Sequence, residues 1–185
     1  MKHHVHKNIY YNREKWTNTY KDFDPKFLFV NDGYNLRITE PQAAMGLLQI
    51  DKIDGFIKSR QSNAKKYFNE LESLSDFFTF QVTTKNSENT HFGFPLVCKN
   101  NKFFTRDEIC SFLNSNGIET RPIIAGNLAR QPANSLFEHR ISGELNNSDY
   151  IMDNGFSVGV HQSLSSDAIY YVTGKIKEFI KLREK

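Results

Sequence analysis

The strongest local pattern of hydrophobic positions in the chain has a helical period. Between residues 43 and 71 apolar side chains return every three or four positions, as on one face of a helix. A capping box, Thr39-Glu40-Pro41-Gln42, precedes this run, and its proline is tolerated in a first turn because the missing N–H has no helical partner there. The pattern predicts one long helix over residues 39–74, with Gly46 and Gly55 as weak points or bends.

The pattern then changes to alternation, which is typical of strands. Apolar residues alternate over residues 78–82 and again over 92–98, separated by a polar stretch. We expect two strands that form a hairpin. Pro95 in the second strand favours an edge position or a bulge.

Further signals predict helices and strands up to the last residues. Thr105-Arg106-Asp107-Glu108 is a second capping box, and its helix is expected to stop at Asn116-Gly117. Ile118 opens a predicted strand over 118–124, and the irregular stretch 125–147 is long enough to indicate a binding loop. Four more predictions complete the chain: Asn147 or Ser148 as a helix cap, a helix end at Gly155, a strand over 156–160 and a last helix from Ser165.

Composition and charge narrow the class of protein. The 185 residues are 38% hydrophobic and 14% aromatic, which supplies apolar area for a core. The 24 Lys+Arg and 21 Asp+Glu give +3 with both signs interspersed, so a nucleic-acid partner is disfavoured. Apolar runs such as 27–30 are too short to cross a membrane, and no signal core follows Met1. We therefore expect a soluble, cytoplasmic protein without a membrane partner.

Neither the cysteines nor the histidines indicate a metal site. Cys98 and Cys110 match no metal or redox spacing, so buried apolar roles are favoured over a disulfide. His3, His4 and His6 cluster near the first residue without carboxylate or cysteine support, which favours an incidental cluster.

Three places carry candidate chemistry, each with a plain structural alternative. Gly33-Tyr34-Asn35-Leu36-Arg37 puts an amide and a guanidinium ahead of a capped helix, where an anion would bind, although an ordinary turn is the default. Arg121 stands at a predicted strand end before a polar loop that contains Asn127, but an exposed arginine is the commoner outcome. His161-Gln162 follows a predicted strand, where a structural histidine is the default.

These residues resemble a known family. Gly33-Tyr34-Asn35-Leu36-Arg37-Ile38-Thr39-Glu40-Pro41-Gln42 and the residues up to 49 resemble the signature of DegT/StrS-type PLP-dependent sugar aminotransferases and dehydratases. Residues 117–127, Arg130-Gln131-Pro132 and residues 158–162 are similar to the branch of nucleotide-linked 4-keto-6-deoxyhexose 3-dehydrases. The resemblance spans roughly residues 26–179.

The resemblance implies an α/β fold, the C-terminal portion of a fold-type-I PLP-dependent transferase. Residues 1–38 would be the end of the large PLP-binding domain, 39–74 a long connecting helix, and 75–185 a small α/β domain with a mostly antiparallel sheet. The family is dimeric, with active sites built from both subunits, so a homodimer or a separate large domain is the expected partner.

The same resemblance suggests site residues. Asn35 would reach the PLP phosphate of the neighbouring subunit, with Arg37 near it, because charge-assisted donors suit a phosphate. Arg121, Asn127 and His161 fall on segments that would line the nucleotide-sugar cleft.

No catalytic residue is assigned to this chain. The Schiff-base lysine segment, in which 3-dehydrases carry a histidine, should precede Gly33, and nothing there resembles it. We therefore expect no catalysis by this chain alone, whether it derives from a truncated reading frame, an internal start or a separately encoded large domain. Dehydration at C3 is favoured over transamination, in surface-polysaccharide or deoxysugar biosynthesis. The alternative is a non-catalytic, truncated or regulatory small-domain protein that binds a partner subunit or a nucleotide sugar.

Overall fold

The computed structural model describes residues 15, 18, 19, 21, 38–100, 102–124, 126–136 and 138–184. The chain divides into two compact units, Met1–Leu48 and Gln49–Lys185. The described helices are α1 (Glu40–Ile50), α2 (Ile53–Leu71), α3 (Arg106–Ser115), α4 (Asn146–Asn154) and α5 (Ser166–Arg183), and the strands are β1 (Phe78–Phe80), β2 (Gly93–Cys98), β3 (Arg121–Pro122) and β4 (Gly155–Gly159). Three 3-10 turns cover Glu72–Leu74, Leu128–Arg130 and Pro132–Leu136 along the described residues.

Helix α1 begins after Thr39, as the capping box predicts. The backbone N–H of Thr39 donates to Oε1 of Gln42 at 3.0 Å, and the N–H of Ala43 donates to the carbonyl of Thr39 at 3.0 Å. The side chain at the third helical position thus satisfies the backbone group that the helix itself leaves without a partner.

The prediction of one uninterrupted helix over residues 39–74 is wrong. Asp51 and Lys52 form a turn between α1 and α2, and the N–H of Lys52 bonds to the carbonyl of Gln49 at 3.0 Å, three residues back. Lys52 has φ −99° and ψ −10°, outside the regular helix. Aspartate is a weak helix former, and a glycine lies near the break on each side, so the sequence does little to carry one helix across it.

The sheet is antiparallel throughout, in the order β1-β2-β4-β3. β1 and β2 form the predicted hairpin, with Phe78 opposite Cys98. β4 inserts between β2 and β3, and Leu96 lies opposite Phe156. This four-stranded antiparallel sheet with helices packed on it confirms the predicted α/β class.

β2 lies between β1 and β4 and is not an edge strand, but Pro95 occupies a local edge position within it, as its sequence favours. β1 pairs with β2 only as far as Leu96, so Pro95 lies one residue beyond the end of β1. On the other side Pro95 lies opposite Ser157 of β4. A proline is tolerated at that point because no second strand lies beside it among the described residues.

The predicted strand over 118–124 is much shorter in the structure. Only Arg121 and Pro122 pair, with Ser157 and Phe156 of β4. Ile118 is buried in the core before the strand begins, so its hydrophobicity serves packing and not sheet pairing.

Two of the three described helices after β2, α3 and α5, begin at the caps that the sequence predicts. Thr105 and Glu108 form the complete capping box of α3, and Gly117 at its end has φ +74°, which favours glycine. Ser165 caps α5 by accepting from the N–H of Ala168 at 3.2 Å. The predicted cap at Asn147 or Ser148 is wrong, because α4 begins at Asn146 and makes no side-chain cap bond.

The core lies between the sheet and helices α2, α3 and α5. Tyr67 of α2 stacks on Phe94 of β2 with ring centroids 5.1 Å apart, and burial raises the pKa of Tyr67 to about 12. Glu70 of α2 forms an ion pair with Lys177 of α5 at 2.7 Å. The buried apolar residues are Ala64, Tyr67, Leu71, Phe78, Phe94, Leu96, Cys98, Phe104, Ile109, Leu113, Ile118, Phe156, Val158, Val160, Ile169, Ile176, Phe179 and Ile180.

Cys98 is buried and Cys110 is half-buried, both as free thiols. Burial raises the pKa of Cys98 to about 12 and also raises that of Cys110. Both sulfurs are therefore protonated near neutral pH, in keeping with the predicted role as small apolar groups.

Candidate functional site

Part of the predicted site falls outside the described residues. Asn35 and Arg37, assigned to the cofactor phosphate, lie there, as do His3, His4 and His6. The other predicted residues lie on the domain formed by Gln49–Lys185.

Arg121 lies on the short strand β3 at the edge of the sheet. Its carbonyl accepts from Oγ of Ser157 at 3.3 Å, which adds to the pairing of β3 with β4. The side chain is 72% exposed, and its guanidinium bonds to Glu119 at 2.7 Å. Arg121 is thus presented to solvent, with an acidic neighbour from its own segment.

Asn127, on a segment expected to line the nucleotide-sugar cleft, is only 5% exposed. Its Nδ2 donates to Oδ1 of Asp149 at 2.7 Å, and its Oδ1 accepts from the N–H of Ala129 at 3.1 Å. Both ends of the amide are therefore engaged within the domain. The asparagine holds the 3-10 turn Leu128–Arg130 and ties it to α4.

Asp149 is the centre of this arrangement, which we name the Asp149 cluster: Asn127, Arg130 and Asp149. Nε of Arg130 donates to Oδ1 of Asp149 at 3.0 Å, and Nη2 donates to Oδ2 at 2.7 Å. The bonds from Arg130 and Asn127 hold the pKa of Asp149 at about 2, and the carboxylate in turn raises the pKa of Arg130. Both side chains are therefore charged at any ordinary pH.

The backbone of the loop also approaches α4 closely. Gly126 has φ +68°, and a Cβ at this position would meet Cγ of Met152 at 2.7 Å. Met152 lies on α4, three residues after Asp149. The loop is thus packed on α4 at Gly126 and bonded to it at Asn127 and Arg130.

His161 lies beyond the other end of β4. Its Nδ1 is 2.7 Å from Oγ of Ser163 and 3.3 Å from the N–H of Ser163. A backbone amide only donates, so Nδ1 is the acceptor of the bond from the N–H of Ser163. The carbonyl of His161 accepts from Nδ2 of Asn63 on α2 at 3.0 Å.

Arg60 of α2 fastens this end of the sheet and was not predicted from the sequence. Its Nε donates to Oε1 of Gln162 at 3.1 Å. Its Nη1 donates to the carbonyls of His91 and Phe92 at 2.9 and 3.3 Å. We name Arg60, His91 and Gln162 the Arg60 cluster, which joins three segments far apart in the sequence.

His91 adopts an uncommon backbone conformation within the Arg60 cluster, with φ +54°. Its N–H donates to Oδ1 of Asn89 at 2.7 Å, so bonds on both sides hold the residue. Its Nδ1 is buried without a hydrogen-bond partner in the part of the chain that the structure describes. Burial lowers the pKa of His91, and the ring is neutral at physiological pH.

An open groove of about 500 Å³ lies beside the turn that follows His161. Lys52, Gly55 and Ser59 line it at the start of α2, and Gln162 and Ser163 line its other side. Asp51 and Phe56 also line the groove, which therefore offers a carboxylate and an aromatic ring beside hydroxyl, amide and ammonium groups.

The three predicted substrate residues are not assembled into one bonded constellation. Asn127 is tied to α4, which leads into β4, whereas His161 follows the opposite end of that strand. Among the described residues no hydrogen bond joins Arg121, Asn127 and His161 to one another. The sequence missed Asp149 and Arg60, because their partners are 22 and 102 residues away and no local motif marks them.

No helix within the described ranges is long and apolar enough to cross a membrane.

Comparison with known proteins gives a consistent match. Residues 4–177 match the DegT/DnrJ/EryC1/StrS aminotransferase family. The chain is 36% identical over 160 residues to the lipopolysaccharide biosynthesis protein RfbH of Salmonella typhimurium, covering 86% of this chain and 37% of that protein. It is 38% identical over 148 residues to a GDP-4-keto-6-deoxy-D-mannose 3-dehydratase of Yersinia pseudotuberculosis, covering 80% and 37%.

A solved structure agrees with these relatives. The GDP-4-keto-6-deoxy-D-mannose-3-dehydratase of E. coli with bound hydrated PLP superposes with a TM-score of 0.74 at 32% identity, over 83% of this chain and 39% of that one. The chain thus spans about two fifths of the length of these relatives, between 37% and 39%. The match over residues 4–177 confirms the resemblance found in the sequence and shows that the chain belongs to the DegT/DnrJ/EryC1/StrS aminotransferase family.

Proposed function

We propose that the chain is the C-terminal part of a PLP-dependent enzyme that acts on nucleotide-linked 4-keto-6-deoxy sugars. The observation that carries this proposal is the family match over residues 4–177, joined by 38% identity to a 3-dehydratase of GDP-4-keto-6-deoxy-D-mannose. The name of the Salmonella relative supports a place in surface-polysaccharide biosynthesis.

Dehydration at C3 is the favoured reaction, with transamination as the alternative. Two 3-dehydratases of GDP-4-keto-6-deoxy-D-mannose are 38% and 35% identical to the chain, whereas a transaminase of dTDP-4-amino-4,6-dideoxy-D-glucose is 24% identical. PLP, when bound, would supply an electron sink for transamination at C4 of the sugar or for dehydration at the adjacent C3.

The described residues do not by themselves form a PLP site. The grooves that they line are open to solvent, and the residues assigned to the phosphate, Asn35 and Arg37, lie outside the described ranges. We assign the cofactor to the complete enzyme, in which Asn35 and Arg37 would bind the phosphate held by the neighbouring subunit of a homodimer.

The small domain would contribute positioned polar groups to the sugar-nucleotide cleft. The Arg60 cluster fixes the turn that carries His161, and the Asp149 cluster fixes the loop that carries Asn127. Preorganised polar groups of this kind orient a ligand without a further loss of conformational entropy on binding. Arg121 and His161 remain the proposed substrate contacts, while Asn127 would act through the loop that it holds.

The test is an assay of the native protein, purified from its source cells with its intact mass recorded. The holoenzyme is incubated with PLP, an amino donor and a GDP-linked or dTDP-linked 4-keto-6-deoxyhexose, and the sugar is identified by NMR. Loss of the C3 hydroxyl would establish dehydration, and an amino group at C4 would establish transamination. If a preparation that retains PLP leaves both the GDP-linked and the dTDP-linked sugar unchanged, the proposal is overturned.

A variant tests the proposed cofactor contact separately. Asn35→Ala should weaken PLP retention during dialysis, because a phosphate donor is lost. Asn18→Ala is a matched control at an exposed position. Equal retention of PLP in the two variants would reject the role of Asn35. A native preparation that binds a nucleotide sugar but never PLP would instead favour the non-catalytic alternative.

A further inference from the structure

The guanidinium of Arg130 is only partly used by the protein. Nε and Nη2 donate to the two oxygens of Asp149 at 3.0 and 2.7 Å. Nη1 bonds to no other described residue, and the side chain is 55% exposed. One edge of the planar group is therefore held fixed while the other faces solvent.

The carboxylate that holds Arg130 is itself well supported. Asp149 accepts from Asn127 as well, and its side chain is 27% exposed. Asn127 is buried and also caps the turn that contains Arg130. The contact of Gly126 with Met152 packs the same loop on α4. The orientation of Arg130 is thus determined by a bonded network and a packed backbone, in contrast to an ordinary surface arginine.

Arg121 provides the comparison within the same segment. Both nitrogens that it uses bond to one oxygen of Glu119, two residues away, and the two side chains are each 72% exposed. Within the described part of the chain, no side-chain bond from another element fixes this pair. Of the two arginines, Arg130 is the one whose outward edge is held in a defined direction.

We propose that Arg130, oriented by Asp149, binds the diphosphate of the nucleotide sugar. The inference rests on the proposed function, and it moves the polar contact of this loop from Asn127 to Arg130. A guanidinium presents a flat pair of N–H donors that matches two phosphate oxygens, and this arrangement is the usual reason for arginine at phosphate sites. Asp149 is then a positioning residue, and Arg130 is the binding residue.

The test measures binding of GDP, dTDP and guanosine to the full chain by ligand-detected NMR titration. Arg130→Gln should weaken GDP binding about tenfold or more, the usual effect of losing a charged hydrogen-bond donor. Guanosine lacks the diphosphate, so its affinity should not change. Arg140→Gln is the matched control, since it removes an exposed arginine from the same loop.

The positioning role of Asp149 is tested in the same assay. Asp149→Asn should weaken GDP binding by a smaller factor than Arg130→Gln, because the arginine is retained but no longer held by a charge. Arg130→Lys should restore binding only in part, because an ammonium lacks the planar fork. Asp153→Asn, one helical turn later on an exposed position of α4, is the control.

The outcomes separate this inference from the proposed function. If wild type binds GDP and Arg130→Gln binds it as well as Arg140→Gln does, the inference is wrong and the proposed function stands. Equal losses of GDP and guanosine affinity would also overturn it, since they would indicate structural damage. If wild type binds neither GDP nor dTDP, the proposed substrate class fails and the inference fails with it.

Discussion

Replacing Arg60 by methionine should destabilise the unit formed by Gln49–Lys185 substantially. Methionine keeps a stem of similar length but removes all donors, so Gln162 and the carbonyls of His91 and Phe92 lose their partner. Asn63 of α2 also donates to the carbonyl of His161, so α2 keeps one bond to the turn that contains Gln162 when Arg60 is replaced. The substitution therefore tests how much the guanidinium of Arg60 contributes to joining α2 to the two loops.

The expected magnitude follows from the bond lengths. The bonds to His91 and Gln162, at 2.9 and 3.1 Å, are normal charge-assisted bonds, whereas the bond to Phe92 at 3.3 Å is weaker. A hydrogen bond to a charged group contributes about 1.5–3 kcal/mol. Because this site is partly exposed, we place each of the bonds to His91 and Gln162 near the low end of that range. We expect a loss of about 2–3 kcal/mol, which is about 6–9 °C in Tm for a domain of this size.

The assay is urea and thermal unfolding of the full chain, with Lys58→Met as the control. Lys58 is exposed on the same helix, so its replacement also removes one positive charge and adds a methionine. NMR shifts of His91 should move toward those of an ordinary backbone conformation, because the bond to its carbonyl no longer holds the positive φ. A loss within about 0.5 kcal/mol of the control would refute the reasoning, since such a value is usual for surface substitutions.

Two further outcomes are expected. Gly55→Ala should raise the free energy of unfolding by about 0.5–1 kcal/mol, because a Cβ there meets no atom within 4 Å. Gly126→Ala should lower it by about 1–2 kcal/mol, because of the positive φ of Gly126 and its contact with Met152. Urea unfolding of the two variants checks both signs, and equal effects of the two substitutions would contradict them. The pKa of Asp149 is depressed from 3.8 to about 2, so its stabilising contribution is complete above pH 3.8 and disappears as the pH falls through about 2. The difference in urea midpoint between wild type and Asp149→Asn should therefore vanish over that range, and a difference that persists at the lowest pH would contradict the linkage.

The sequence predicted those elements whose signals are local. The capping box at Thr105 and the cap at Ser165 depend on residues three positions apart, and both were found where expected. The hairpin follows from alternation within one short segment. Asp51 and Lys52 could not be identified as a helix break, because neither is glycine or proline and the apolar period continues through them.

The site was predictable only in part, because its bonds are long-range. The buried position of Asn127 depends on Asp149, which belongs to a different helix, and no motif links the two residues. His161 was singled out from its motif, but Asn63 and Ser163, which orient it, were not. Sequence patterns thus indicated which segments matter, whereas the side chains that face solvent required the structure.

The insertion of β4 between β2 and β3 has a consequence for synthesis on the ribosome. β2 emerges early together with β1 and α3, but its second neighbour follows only after the long loop and α4. Lys177, the ion-pair partner of Glu70, is synthesised later still, because it lies 107 residues further along the chain. Until β4 and α5 are translated, the apolar faces around Tyr67 and Phe94 have no complete covering. Such non-local pairing folds slowly and exposes aggregation-prone surface, so the nascent chain should depend on chaperones until α5 has been translated.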